Sequence, residues 1–150
     1  MCVMRRSAHA GAALAAVVTL AVAATACGGD GGGSSSPAGW KKDHGSLIAA
    51  FSRDLTDAIN NINQGARETT VGSCTQVSET AKEVKKNALP APGAVDAPLK
   101  SAVDLTVTGG DNCLKGARTT DAKSVEEAQR NFAAARKSLD EAETAVKAIA

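Results

Sequence analysis

Aromatic side chains are nearly missing from this sequence. Trp40, Phe51 and Phe132 are the only three, and there is no tyrosine. Sheets draw on aromatic and β-branched residues, so this scarcity turns the expectation away from β architecture. Charge of one sign is also lacking: 17 Lys and Arg stand against 16 Asp and Glu, a formal charge of +1. Binding a phosphate backbone takes a surplus of Lys and Arg, which excludes nucleic acid as the expected partner. Histidine is limited to His9 and His44. A metal site needs three or four converging ligands, and His44 beside Asp43 gathers no third at helical spacing. The GxxxxGK phosphate loop, the GxSxG elbow and the CxxC pair do not occur. The expectation is therefore no catalytic residue, no metal and no cofactor, in a protein that is not an enzyme.

Alanine and small residues are plentiful instead, and the first of them lie in a distinctive N-terminal segment. Arg5-Arg6 precede an apolar stretch from Ala10 to Ala26, with Leu14, Val17, Val18, Leu20 and Val22 among alanines. At about 17 residues it is short for a membrane span, and small residues crowd its end, as in an export signal. Cys27 follows Ala24-Thr25-Ala26 directly. This arrangement resembles the lipobox of bacterial lipoproteins of the actinobacterial type. The resemblance covers residues 1 to about 37 and extends to the remainder only in its small helical character. Ala24 departs from the Leu, Val or Ile usual three positions before the cysteine.

The resemblance implies cleavage between Ala26 and Cys27 and a diacylglyceryl group on the Cys27 sulfur. The partner so implied is the membrane, and the location is the outer face of the cell membrane. Two acyl chains hold firmly where one binds marginally, at about 0.8 kcal/mol per buried methylene. Ordinary secretion with cleavage after Ala26 fits the same small residues. Met4 and Ser7-Ala8-His9 match twin-arginine flanks poorly, so Sec-type export is expected. Arg5 and Arg6 leave with residues 1–26 and no acid does, which takes the charge from +1 to −1.

Residues 27–42 are expected to form a tether. Gly28 to Pro37 is a run of Gly and Ser with one Asp, a composition that makes a flexible coil. From Cys27 to Lys42 its reach is roughly 20 Å.

Residues 43–150 show apolar periodicity near 3.5 in four segments. Ile48, Phe51, Leu55, Ala58 and Ile62 form one stripe, with Gly65 as a stop. Cys74, Val77, Ala81, Val84 and Ala88 form the second, with Ser73-Cys74-Thr75-Gln76 as a capping box and Pro90 and Pro92 as terminators. The third starts with Asp96 as cap and Pro98 in the first turn, and carries Leu99, Ala102, Val103 and Thr106. Gly109-Gly110 interrupts it before Cys113 and Leu114. Each glycine costs about 1 kcal/mol against alanine, so the helix either weakens there or admits a close neighbour. The fourth follows Ser124-Val125-Glu126-Glu127, a second capping box, with Val125, Ala128, Phe132, Ala135, Leu139, Ala142, Val146 and Ile149 on one face. Short connections make this an all-α, antiparallel four-helix up-down bundle. A three-helix bundle with an irregular third segment is the alternative.

Cys2 leaves with the signal and Cys27 takes the lipid, which leaves Cys74 and Cys113 facing an oxidising compartment. Both fall on or near core faces of neighbouring segments, and a disulfide between them is expected. Lys82, Lys85 and Lys86 form a small basic patch that solvation explains. Alanine at many core positions draws helices close and leaves little room for an internal ligand. The functional expectation is a membrane-anchored envelope lipoprotein that presents a helical surface to a protein or wall component. A small-molecule or metal binding module serving a membrane partner is the alternative.

Overall fold

The computed structural model describes residues 36–150; the expected export signal, Cys27 and the tether up to residue 35 lie outside the described residues. Four helices make up the domain: α1 (Pro37–Gln64), α2 (Arg67–Asn87), α3 (Asp96–Thr119) and α4 (Ala122–Lys147). A short 3-10 turn, Gly93–Val95, leads into α3, and there is no strand among the described residues.

Contacts between ends fix the topology. Trp40, near the start of α1, donates from Nε1 to the carbonyl of Ala88, just past the end of α2 (3.1 Å). Thr70 Oγ1, near the start of α2, lies 3.0 Å from the carbonyl of Asn61, near the end of α1. The hydroxyls of Ser101 on α3 and Ser138 on α4 are 3.2 Å apart. Gln129 Nε2 on α4 donates to Asn63 Oδ1 on α1 (3.0 Å), and Lys41 Nζ reaches the carbonyl of Ile149 (2.8 Å). Each helix therefore runs antiparallel to the one before it, and α4 closes against α1. This is the expected four-helix up-down bundle, with the third segment an unbroken helix.

The stripes of three-and-four spacing become the core. Phe51, Leu55 and Ala58 of α1, Val77, Ala81 and Val84 of α2, Leu99, Ala102 and Val103 of α3, and Phe132, Ala135 and Leu139 of α4 are all fully buried. A buried Leu or Phe contributes about 1.5–3 kcal/mol by leaving water. Because so many core positions are alanine, the helices come close to one another.

The closest approaches fall on the glycines of α3. A Cβ at position 109 would stand 2.8 Å from the ring of Phe132, and one at position 110 would overlap Ser78 Oγ. One at position 116 would meet Val125 Cγ2 at 2.7 Å and the Val125 backbone nitrogen at 3.0 Å. Gly109-Gly110 is thus where α2 and α4 press against α3. The propensity cost of about 1 kcal/mol per glycine is offset by that packing.

The helix ends differ from expectation in four places. First, α1 begins at Pro37 and not after Lys42, with Ser36 Oγ accepting from the Gly39 amide (3.2 Å) and Pro37 in the tolerated first position. Burial of Trp40 pulls this stretch out of the expected tether and into the bundle. Second, α2 begins at Arg67, so Ser73-Cys74-Thr75-Gln76 is helix interior; Ser73 Oγ donates back to the Thr70 carbonyl (3.2 Å). Third, Asp96 is the first residue of α3 and its carboxylate accepts from the Ala91 amide (2.7 Å), holding the preceding loop and not the helix. Fourth, α4 is capped by Asp121, and Ser124 is a buried residue donating to it. Gly65 does end α1, at φ 73°, in the left-handed conformation that glycine adopts freely.

Candidate functional site

Of the three residues singled out in the sequence, Cys27 lies outside the described residues. Cys74 and Cys113 are joined in a disulfide, 39 positions apart in the chain and 6.2 Å between Cα atoms. Both are fully buried, so the bond ties α2 to α3 inside the core. His44 lies within α1, its ring 5.3 Å from that of Trp40. Lys85 pairs with Asp104 across α2 and α3 (2.8 Å), with both side chains about half exposed, so the Lys82-Lys85-Lys86 group is in part neutralised by its neighbour. Among the described residues, no three His, Cys, Asp or Glu side chains converge on a point where a metal would sit. None of the described helices is long and apolar enough to cross a membrane.

The feature that sequence reasoning missed is a cleft at the end of the bundle opposite residue 36. There α1 and α3 finish and α2 and α4 begin, joined by the two-residue turns Gly65-Ala66 and Thr120-Asp121. The helices part enough to leave a cavity of about 210 Å³. Its apolar lining comes from Ile62, Cys113, Gly116, Ala117, Ala122 and Val125, of which Cys113 is fully buried beneath the others. Arg67, Thr70 and Thr120 supply its polar edge. Each of the four helices gives at least one lining residue, so the wall is fixed by the whole bundle. Grooves of about 430 and 300 Å³ also lie along the α1–α4 seam, each walled by two helices only.

Local chemistry holds this edge in place. Arg67 donates from Nη2 to the carbonyl of Arg118 (2.7 Å), which ties the start of α2 to the end of α3. Neither arginine enters an ion pair among the described residues. Thr120 closes α3 at φ 55° and ψ 32°, a left-handed conformation that costs a β-branched residue steric strain. Asp121 then caps α4, accepting from the Lys123 amide (3.2 Å) and from Ser124 Oγ (2.7 Å). The Ser124 hydroxyl is the main reason its carboxyl titrates below the ordinary aspartate value; partial desolvation opposes the shift, and the Ser124 amide and Lys115 assist it. Lys115 Nζ stands 3.5 Å from Asp121 Oδ2. Counting the opening and closing turns at this end of the bundle, Arg67, Lys115, Arg118 and Lys123 are balanced by Glu68, Asp121, Glu126 and Glu127.

No signal in the sequence marks this cleft. Its residues come from four separate segment ends, and none belongs to a recognisable motif.

No protein-family model, curated protein or solved structure matches this chain.

Proposed function

We propose that this chain is a lipid-anchored protein of the cell envelope, without enzymatic activity of its own, whose bundle offers a rigid surface to an envelope protein or wall component. Cys27 would carry the diacylglyceryl group after cleavage behind Ala26. The observation that carries the reading furthest is the Cys74–Cys113 disulfide. Such crosslinks persist in oxidising compartments, which accords with export through the Arg5-Arg6 and Ala10–Ala26 signal. With α1 starting at Pro37, the segment between Cys27 and the bundle is Gly28 to Ser36, nine residues. A chain of that Gly/Ser composition reaches roughly 15–18 Å.

The ligand-carrier alternative gains no support from the two aromatics suited to line a pocket. Phe51 is fully buried and Trp40 is 5% exposed, so both serve the core.

Metabolic labelling with an alkyne-bearing fatty acid tests the anchor. The wild-type chain should take up label and sediment with membranes, whereas Cys27→Ala should be unlabelled and either released or held as precursor. Label retained by Cys27→Ala overturns the anchor. Pull-down from membranes with the tethered protein tests the binding role: a partner should be enriched over a variant with its exposed charges scrambled, and equal recovery by both overturns it.

A further inference from the structure

We propose that the bundle does not hang free on its tether. The end where the chain enters is seated on the bilayer, with the Ala88–Ala94 loop in the headgroup boundary and the surrounding lysines on anionic phosphates. The proposal rests on the reading of Cys27 as the lipid-bearing residue and specifies which end of the bundle meets the lipid.

The two ends of the bundle differ in what they expose. At the far end, the turn Gly65-Ala66 runs straight into Arg67-Glu68, and Thr120-Asp121 carries a charge itself. At the tether end, the nine residues from Asn87 to Val95 carry none. Pro90, Gly93 and Ala94 are exposed there, and Leu89, Ala91 and Pro92 are half-buried. The first residues of α1, Pro37-Ala38-Gly39-Trp40, are also uncharged. They meet this loop through the bond from Trp40 Nε1 to the Ala88 carbonyl (3.1 Å).

Backbone polarity decides whether an irregular loop can leave water, because each unbonded amide taken out of water is costly. Pro90 and Pro92 have no N–H to lose. The Ala88 amide bonds the Val84 carbonyl (2.9 Å), and the Val95 amide bonds the Pro92 carbonyl (3.1 Å). The Ala91 amide bonds the Asp96 carboxylate (2.7 Å). Five of the eight residues from Ala88 to Val95 thus present no free donor to the bilayer.

Charge gives the sign of the surface. Within six residues of this end, the four helices carry the Lys41-Lys42 pair, the Lys82-Lys85-Lys86 group, Lys100 and Lys147 against Glu83, Asp96 and Glu143. Asp43 and Glu141, one position further in, still leave lysine in excess. Lys85 is engaged by Asp104 and Asp96 by the Ala91 amide, one group of each sign. At the far end the same count balances. Lysines are drawn to an anionic leaflet over about a Debye length, roughly 8–10 Å.

The tether makes weak contact sufficient. A flexible linker as short as Gly28 to Ser36 gives what it joins an effective concentration on the order of millimolar. Contacts too weak to hold a free protein then keep the end in place.

Trp40 is the only tryptophan and stands beside the loop, which makes it the probe. The processed, lipidated protein is reconstituted in vesicles of phosphatidylcholine brominated close to the headgroup, with and without phosphatidylglycerol. Trp40 fluorescence should be quenched, more strongly with phosphatidylglycerol, and the added quenching should fade as salt rises. Ala94→Asp charges the exposed tip and should lose most of the quenching. Lys86→Glu should lose the part that phosphatidylglycerol adds, and Ala66→Asp at the far turn should change nothing. Circular dichroism checks that each variant is folded. Ala97→Asp, exposed in the first turn of α3 where an acid suits the helix, replaces Ala94→Asp if that variant unfolds. Absent quenching, quenching indifferent to phosphatidylglycerol, or quenching unmoved by Ala94→Asp overturns the proposal. So does a dimer in detergent that Ala94→Asp separates, because a second copy then holds the tip. Fatty-acid labelling separates the two readings. A labelled protein with unquenched Trp40 loses the seat and keeps the anchor, whereas label retained by Cys27→Ala removes the anchor and the seat that rests on it.

Discussion

Gly110 on α3 and Ser78 on α2 occupy one another's space: the Ser78 hydroxyl lies where any side chain at position 110 would begin. That hydroxyl donates to the Cys74 carbonyl (2.8 Å), one turn back on α2 and beside the disulfide. Gly110→Ala forces Ser78 off this bond. The expected outcome is a loss of about 1–2 kcal/mol in urea denaturation, overpacking partly offset by better helix propensity. Ser78→Ala in the same chain should recover most of it. The double-mutant cycle measures the coupling directly.

Gly116 should behave worse than Gly110. A Cβ there meets the backbone nitrogen of Val125 at 3.0 Å and the carbonyl of Asp121 at 3.2 Å, atoms that cannot swing aside. Gly116→Ala is expected to cost more than Gly110→Ala, at the upper end of about 1–3 kcal/mol, with no single side-chain substitution restoring it. Equal midpoints for the two variants in parallel urea titrations would contradict this packing.

The Cys74–Cys113 crosslink closes a loop 39 positions long. On the loop-entropy account its removal costs about 4 kcal/mol, a large part of the stability of a small domain. The double variant Cys74→Ala, Cys113→Ala should melt well below the parent. Intact-mass measurement of the exported parent under non-reducing conditions should show both thiol hydrogens missing. Because both sulfurs are fully buried, reductant should act slowly on the folded protein and quickly once urea is added.

Thr106 sits fully buried on α3 with no hydrogen-bond partner for its hydroxyl. A buried polar group left unpaired costs about 1–3 kcal/mol, and valine keeps its shape without the penalty. Thr106→Val should therefore raise stability by about 1 kcal/mol. A lower thermal midpoint would mean that the hydroxyl has a partner after all.

Asp121 makes a pH-dependent contribution. Its carboxyl is held below the ordinary value chiefly by the Ser124 hydroxyl, so the folded state favours the charged form. The stabilisation is complete above the ordinary aspartate range and is lost as pH falls through the lowered folded value. Asp121→Asn keeps a capping oxygen and removes the charge. The parent should be the more stable at neutral pH, and the two curves of stability against pH should converge in strong acid.

The core was legible in the sequence, and so were the stops at Gly65 and before Pro90, but most helix starts were not. Ile48, Phe51, Leu55, Ala58 and Ile62 follow helical spacing, and all five are buried. Periodicity reports which face turns inward, and that is a local property. Ends depend on what competes for backbone groups. Ser73 and Ser124 satisfy the capping-box pattern, but serine and threonine within a helix also bond back to preceding carbonyls, as Ser73, Thr75 and Ser78 do here. Trp40 was hidden for another reason. Its neighbours read as spacer, and only the Ala88 carbonyl, 48 positions away, shows why the helix reaches so far back. The cleft was illegible because it is made of ends.

The bond between Lys41 and the Ile149 carbonyl also bears on how the domain can be rewired. It places the entry and exit of the folded chain side by side. Joining residue 150 to residue 36 through a few glycines and reopening the chain between Gly65 and Ala66 would give a circular permutant with the same helix neighbours. Reporters appended after Ala150 would likewise emerge beside the start of α1 and leave the two tight turns at the far end uncovered.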